Sequence, residues 1–460
     1  MNSFVNAIQT QEARTENGMK AYQSTNSSAV DLFFKIGSSR NTDIIPAFVK
    51  AFVDSPDTAT RIALWSRDIR GGAGERKTFR SIVSYLSKNN PEQLKKILHK
   101  IPELGRWDDL LSVEGDLRKD AFQLIKNGLS NPDTSGLVSK WMPRQGKVAA
   151  ELRNFFGWSP KRYRKTLVGL TNVVETPMCA KQYEKINYQS VPSVAAARYQ
   201  KAFMKNDKDR YTSYVQQLKN GKTTINASAV YPYDVIRSLR SGNIDVANAQ
   251  WDSLPDYVNG RNILPLVDVS GSMTCAASGS ITCLDVALSL GLYLSDKNKG
   301  AFKDTFLTFS MDPELMTLKG SLYQKMSQMT RSKWEMNTNL HKAFDKILHL
   351  AVTNRVPQND MPEMLLILSD MQFDNCISYD DTAYQMIQRK YNEAGYVVPN
   401  IIFWNINSRY NNVPIQFKEQ LGVSMVSGFS PAIMKSILSS ENITPESVMM
   451  KTIMNNRYDF

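Results

Sequence analysis

Three oxygen-bearing side chains occupy alternate positions in the segment ILPLVDVSGSM, residues 263–273. Asp268 ends an apolar run that is typical of a buried strand, and Ser270 and Ser272 follow it. Gly271 permits a tight turn, so that one carboxylate and two hydroxyls can surround a single point. The same pattern also occurs by chance, and the alternative interpretation is a polar turn that caps the next helix.

Two further oxygen donors lie beside other predicted elements. Thr338 precedes a predicted helix in MNTNLHKAF, and Asp370 ends the apolar run MLLILSD. Ligands of doubly wound sheets gather beyond the carboxyl ends of the strands, so we expect these donors to join Asp268, Ser270 and Ser272 in one site. Hard oxygen ligands with few charges favour Mg²⁺, with Mn²⁺ or Ca²⁺ as alternatives. The motif places no histidine, lysine or cysteine to activate a nucleophile, so we expect no enzymatic activity.

Strands alternate with helices after residue 260, which predicts a doubly wound α/β domain over residues 261–460. The apolar runs and helical periodicities indicate strands at 262–270, 304–310, 361–370 and 400–406, and helices at 282–296, 339–354, 382–395 and 430–440.

The first 260 residues have a different periodicity. From about residue 28 to 130, short segments with apolar residues three and four apart are separated by Gly, Pro or Asn. Helical character continues less regularly to about residue 240, and a polar segment follows at 241–260. This organisation predicts an α-helical, HEAT-like repeat solenoid or ring over residues 1–260.

The charge of the chain is divided unevenly between these two parts. Residues 1–260 contain 38 Lys and Arg against 25 Asp and Glu, whereas residues 261–460 contain 18 against 19. Clustered cations release condensed counterions when they meet phosphates, so this asymmetry favours a polyanionic partner for the first part. A solvated basic surface without a partner is the alternative.

The segment KWMPRQGKVAAELRNFFGWSPKRYRK, residues 140–165, combines cations with aromatic rings. Cations neutralise phosphates and exposed rings stack on bases, which favours RNA binding. The alternative is that the rings form helical core, and we expect this for Phe155 and Phe156. The candidate phosphate contacts are Lys140, Arg144, Lys147, Lys161, Arg162, Arg164 and Lys165.

Two other polar segments have structural interpretations. RGGAGERK, residues 70–77, lacks the spacing of a phosphate-binding loop and indicates a turn between helices, although Arg70, Arg76 and Lys77 could touch phosphate from it. The paired acids of GRWDDLL, residues 105–111, favour a helix cap and ion pairs over acid–base catalysis.

The proposed metal site resembles the metal-ion-dependent adhesion site of the von Willebrand factor A (vWA) domain. The residues that carry the resemblance are Asp268, Ser270, Ser272, Thr338 and Asp370. The resemblance implies a divalent ion with one coordination position open to an acidic group of a protein partner.

The first part also resembles a known family. WSRDIRGGAGERKTFR (65–80) and ELGRWDDLL (103–111) resemble the TROVE helical-repeat module of the Ro autoantigen RNA-binding family. VPSVAAARYQKAF (191–203) and GKTTINASAVYPYDVI (221–236) are more similar to an uncharacterised bacterial and phage branch of vWA-containing proteins related to it. The resemblance implies a helical ring, closed by the vWA domain, that binds structured noncoding RNA on its basic surface and single-stranded RNA ends in its hole.

We therefore expect a non-enzymatic, Ro-like RNA-binding protein. The alternative is a protein–protein scaffold, such as a phage virion or assembly component, in which the vWA metal binds a partner's carboxylate. The chain has no apolar stretch of membrane-spanning length and no signal-peptide pattern at residues 1–20, so we expect a cytoplasmic protein without a membrane partner. The four cysteines form no CxxC pair, which favours reduced thiols.

Overall fold

The computed structural model describes residues 12–40, 42–225, 227, 230–242, 244–278, 280–299, 301–309, 313–331, 339–375, 381–407, 412–415, 421–438 and 443–460. Within them, a short hairpin and a series of helices precede a six-stranded sheet with its own helices. The expected helical first part and doubly wound α/β second part are confirmed.

The helices of the first part are short, and most pack on the next helix along the chain. Several begin with proline in the first turn, as α3, α8 and α10 do, because proline lacks an N–H that the first turn would leave unbonded. The helices are α1 (Ser28–Ile36), α2 (Ile45–Asp54), α3 (Pro56–Arg67), α4 (Arg76–Asn89), α5 (Pro91–Ile97), α6 (Lys100–Leu104), α7 (Arg118–Ser130), α8 (Pro132–Trp141), α9 (Gly146–Phe156), α10 (Pro160–Leu170), α11 (Glu175–Cys179), α12 (Ser193–Asn206), α13 (Lys208–Lys219), α14 (Pro232–Arg240) and α15 (Ile244–Asp252).

Ten strands are present in the described part of the chain. The six-stranded sheet has the order β10-β9-β8-β3-β6-β7, and only β7 is antiparallel to its neighbour. The central strands β3 and β8 are buried at every residue, which explains their continuous apolar sequences. The strands are β1 (Glu12–Arg14), β2 (Lys20–Tyr22), β3 (Ile263–Asp268), β4 (Ala276–Ser278), β5 (Ile281–Thr282), β6 (Thr305–Phe309), β7 (Leu315–Thr317), β8 (Met364–Ser369), β9 (Asn400–Asn405) and β10 (Val423–Ser427).

Six helices accompany the sheet in the described residues. They are α16 (Cys283–Lys297), α17 (Leu322–Arg331), α18 (Leu340–Thr353), α19 (Ala383–Glu393), α20 (Met434–Leu438) and α21 (Pro445–Ile453). The sequence pattern did not predict β10 or α21, and it predicted one helix at 430–440 where a 3-10 turn, Pro431–Ile433, leads into the short α20.

Both ends of the helical part contact the sheet domain, which closes the chain into a ring. At the start, α1 packs on β10 and α21, and α3 packs on α21. At the end, α14 packs on α16. One large hydrophobic cluster consequently contains residues of α1–α10 and of the sheet, and a second cluster lies among α12, α13 and α15.

A buried ion pair joins α3 to the C-terminus at this closure. Asp68, which is 0% exposed, accepts hydrogen bonds from the guanidinium of Arg457 and, at 3.1 Å, from the hydroxyl of Tyr458. Gly37 lies against β10, where an added Cβ would stand 2.3 Å from the carbonyl oxygen of Ser427. The closure therefore excludes larger side chains at that point.

Candidate metal site and nucleic-acid surface

The candidate metal site lies at the carboxyl ends of β3 and β8, which are parallel neighbours with Val267 opposite Leu368. Asp268 is the last residue of β3, and Asp370 directly follows β8. The register brings both acids to the same edge of the sheet. Of the five residues expected in the site, four are described, and Thr338 lies outside the described residues.

Hydrogen bonds fix both oxygens of the Asp268 carboxylate. Oδ1 accepts from the Ser270 N–H at 2.9 Å, and Oδ2 accepts from the Ser369 hydroxyl at 2.5 Å. The Oγ atoms of Ser270 and Ser272 are 3.0 Å apart, and Ser272 also hydrogen-bonds to Asp370. Neighbouring ligands of an octahedral ion at about 2.1 Å are themselves about 3 Å apart, so this hydroxyl spacing fits Mg²⁺.

The electrostatics of the site favour a bound cation. Asp268 and Asp370 are 0% and 3% exposed. Burial raises the pKa of Asp268 and the adjacent Asp370 raises it further, while burial also raises the pKa of Asp370. Neither acid forms an ion pair with a residue that the structure describes. Buried carboxylates require a compensating charge or a proton, and a divalent ion supplies that charge.

No group of three or more His, Cys, Asp or Glu side chains in the described part of the chain is arranged to hold a metal. The candidate site differs from such groups because two of its described donors are serine hydroxyls. Its two carboxylates and two hydroxyls fit a hard cation and do not fit the nitrogen and sulfur preference of zinc.

Two thiols lie beside the site. The Sγ atoms of Cys275 and Cys283 are 3.3 Å apart. The hydrogen bond with Cys275 raises the pKa of Cys283 most, burial raises it further, and the negative charges of Asp370 and Asp268 make smaller contributions in the same direction. Both are free thiols, as is Cys179.

The hairpin β1–β2 covers the loop that carries Asp370, which the sequence did not predict. The Thr15 hydroxyl donates to the Phe373 carbonyl at 2.6 Å, and the Glu16 N–H donates to Gln372 Oε1 at 2.7 Å. An isolated β-bridge pairs Gly18 with Asp374, and two further isolated bridges connect β2 to the sheet domain. No sequence signal marks this contact because 356 positions separate Glu16 from its hydrogen-bond partner.

A cation–aromatic contact joins the turn after α6 to the end of α8. The guanidinium of Arg106 is 3.6 Å from the ring centroid of Trp141, and the Lys140 ammonium is 5.3 Å from the same centroid. Burial and the positive charges of Arg106 and Arg80 lower the pKa of Arg76. Arg106 was not among the residues expected to bind RNA. The one sequence signal for it is the adjacent aromatic residue, Trp107.

The acids of GRWDDLL bind these arginines, as the sequence indicated. Asp109 is fully buried and accepts from Arg67 at 2.7 Å and from Arg80 at 2.6 Å. Asp108 pairs with Arg80 and Arg106. Four arginines, including the adjacent Arg76, therefore lie around two aspartates, and this part of the surface keeps a positive excess.

The ten cations expected to bind RNA lie on four helices or in the turns beside them. Arg70 is in the turn between α3 and α4, and Arg76 and Lys77 begin α4. Lys140, Arg144 and Lys147 lie at or between α8 and α9, and the other four lie in the first two turns of α10. Nine of the ten are exposed, and Lys140 is half-buried. None forms an ion pair with a described residue.

The aromatic rings of residues 141–163 are mainly structural. Tyr163 is 1% exposed and donates a hydrogen bond to the Pro143 carbonyl, and Phe156 is buried against Trp158. Phe155 is half-buried and packs on Phe122. Phe156 and Tyr163 are buried, and Phe155 packs on the core from a half-buried position. Trp141 and Trp158 are also half-buried.

Comparison with known proteins places the chain in a family. The family model described as Domain of unknown function DUF7788 matches residues 262–458, and Domain of unknown function DUF2828 matches residues 15–113 and 147–261. The chain is 30% identical to Uncharacterized protein L728 of Acanthamoeba polyphaga mimivirus, over 95% of this chain and 86% of that protein. The chain belongs to the family of that mimivirus protein.

A solved structure is similar to most of the chain at low identity. It is the crystal structure of the Deinococcus radiodurans RO (RSR) protein, with a TM-score of 0.47 and 15% identity over 93% of this chain and 99% of that one. In the described part of the chain, no helix is long and apolar enough to cross a membrane.

Proposed function

We propose that this protein binds RNA, without a catalytic step, through a basic surface formed by Arg76, Arg106, Lys140, Trp141 and Arg144 together with the exposed side of α10. The observation that carries this proposal is that the ten cations named from sequence form no ion pairs within the described structure, and nine are exposed. Cations without intramolecular ionic partners are available to phosphates.

Packing makes this basic surface continuous. Arg106 and Lys140 meet on the Trp141 ring, and the Tyr163 hydroxyl of α10 bonds to the Pro143 carbonyl in the following loop. Ser159 caps α10 by accepting from the Arg162 N–H, so the four cations of that helix start at its first turn. The helix N-terminus adds its own attraction for phosphate.

A four-residue charge reversal tests this proposal. Replacing Lys161, Arg162, Arg164 and Lys165 by Glu should weaken binding of a fluorescein-labelled single-stranded RNA in an anisotropy titration. The slope of log affinity against log salt should fall by roughly 0.7 for each phosphate that the protein no longer neutralises.

A variant with the same change of charge on the sheet domain is the control. Lys319, Lys346, Arg355 and Lys451 are exposed, and changing them to Glu should leave the slope nearly unchanged. Equal weakening in both variants would show that net charge alone attracts the RNA. An unaltered slope in a well-folded α10 variant would remove that helix from the interface.

A second function is favoured by the buried acids of the sheet domain. We infer that Asp268, Ser270, Ser272 and Asp370, with Thr338, hold Mg²⁺ or Mn²⁺, and that the ion accepts a carboxylate. The absence of an ion pair at either acid among the described residues supports this site. A scaffold that binds an acidic protein partner, in a virion or elsewhere, would use the same chemistry.

Calorimetric titration with Mn²⁺ tests the metal site. Asp268→Asn should abolish binding because it removes one of two carboxylates and leaves the shape of the site unchanged. Asp133→Asn, at an exposed position on α8, is the control and should bind as the unaltered protein does. Equal binding by the Asp268 variant would contradict the assignment.

A further inference from the structure

We propose that Glu16, in the turn of the β1–β2 hairpin, supplies the carboxylate that completes the metal site, so that the chain carries its own acidic ligand. This inference rests on the metal site proposed above and identifies what occupies its open position. An acidic partner would then have to displace Glu16.

The first support is the way in which the hairpin is attached. The Glu16 N–H donates to Gln372 Oε1 at 2.7 Å, and the Asn17 side chain donates to the Gln372 carbonyl at 2.8 Å. Gln372 in turn donates its N–H to Asp370 Oδ1 at 3.3 Å. Two successive hydrogen bonds therefore connect the Glu16 backbone to a carboxylate of the site.

The hairpin is held firmly enough to position a ligand. The buried Thr15 hydroxyl bonds to the Phe373 carbonyl, and Met19 within the hairpin is 0% exposed. Tyr22 and Val413 exchange backbone hydrogen bonds of 2.9 and 2.8 Å at the far end. A ligand on a fixed element loses little entropy on binding, which favours an internal carboxylate over a free one.

The charge of Glu16 reaches the site. Its carboxylate is among the groups that raise the pKa of Asp370, after burial, whereas the hydrogen bonds from Ser272 and Gln372 lower that pKa. Glu16 is exposed, while Asp370 beneath it is 3% exposed. A divalent ion bound at Asp268 and Asp370 would offset the repulsion between the charges of Glu16 and Asp370.

Water-proton relaxation of the Mn²⁺-loaded full-length protein tests the role of Glu16. Glu16→Gln should weaken Mn²⁺ binding about tenfold, because the site loses a charged ligand. It should also raise the relaxivity per bound ion, since water takes the vacated position. Added acetate should lower that relaxivity again in the variant and have little effect on the unaltered protein.

Two further variants separate the possible outcomes. Glu92→Gln, at an exposed position on α5, is the control and should match the unaltered protein. If Asp268→Asn abolishes Mn²⁺ binding and Glu16→Gln changes neither affinity nor relaxivity, the Glu16 proposal is overturned and the metal site stands. If the unaltered protein binds no Mn²⁺, both proposals fail. A melting temperature for Glu16→Gln equal to that of the control shows that the hairpin remains docked.

Discussion

Arg106 and Trp141 form a stacked pair at the centre of the basic surface. The 3.6 Å separation of guanidinium and ring holds both planes in place, while the two bonds from Arg106 to Asp108 fix the orientation of the guanidinium. A nucleobase can stack on a ring or a guanidinium that is already ordered at small entropic cost.

We expect Trp141→Ala to weaken single-stranded RNA binding by roughly 1–3 kcal/mol, the usual worth of one stacked base. The salt slope should change little, because every cation that meets a phosphate is still present. Anisotropy titrations at several salt concentrations measure both quantities. The melting temperature of the same variant is the control. A lowered melting temperature with unchanged affinity per folded molecule would indicate that the ring acts only through folding.

Glu75 is the residue for which a pH effect follows most directly. It is 1% exposed and paired with Arg40 at 2.6 Å, and burial raises its pKa from 4.5 to about 7 although Arg40 lowers it. Between these values the folded protein binds more protons than the unfolded chain. The contribution of Glu75 to stability is therefore fully present below about pH 4.5 and is lost as the pH rises to about 7.

Glu75→Gln removes this titration. The free energy of unfolding of the variant, relative to that of the unaltered protein, should increase as the pH rises through the same window. Urea unfolding at several pH values within it measures this difference. A constant difference would show that folding leaves the pKa of Glu75 unshifted, and a decreasing difference would show that folding lowers it.

The C-terminal elements hold the helical part against the sheet domain. Helix α21 packs on α1, α3 and β10, and the turn after it carries Arg457 and Tyr458 to the buried Asp68. Asp68 also accepts the Arg70 N–H, so the same carboxylate holds the turn that leads to the basic surface. The ring closure and that turn are therefore coupled through one side chain.

Arg457→Ala should destabilise the protein by about 3 kcal/mol, because it leaves a buried carboxylate without its ionic partner. Arg457→Lys should recover part of that stability. Thermal and urea unfolding of the two variants provide the measurement, with Lys451→Ala, at an exposed position on α21, as the control. Equal stability of Arg457→Ala and this control would mean that the pair between Arg457 and Asp68 does not stabilise the folded protein.

At the scale of the whole molecule, the basic surface and the metal site lie on different parts of one ring. The cations are on α4, α8, α9 and α10 and the loops beside them, whereas the acids end β3 and β8. RNA affinity in the full-length protein should therefore be the same in EDTA and in Mg²⁺. An affinity reduced about tenfold or more in EDTA, which is roughly 1.4 kcal/mol, would instead show that the ion takes part in RNA binding.

The shared hydrophobic core leads to a second prediction about the whole molecule. Because one hydrophobic cluster includes residues from both parts, fragments 1–260 and 261–460 should each expose apolar surface when expressed alone. Expressed together they should copurify. Size-exclusion chromatography of the separate and joint products distinguishes this result from two independently folding domains.

Local sequence patterns determined much of the secondary structure of this protein. The apolar run before Asp268 and the run before Asp370 predicted two central strands, because strands buried on both faces must be apolar throughout. Helical periodicity similarly predicted the first part, and the paired acids beside Arg106 predicted ion pairs. These features depend on residues within one element or one turn.

The tertiary structure alone decided which distant residues meet. Glu16 lies 356 positions from Gln372, and Asp68 lies 389 from Arg457, so no local periodicity records either contact. Arg106 joins Trp141 because α4, α8 and the 3-10 turn Trp107–Ser112 pack together. The sequence determined the elements because their patterns are local, and packing determined the sites because it depends on apolar faces from the whole chain.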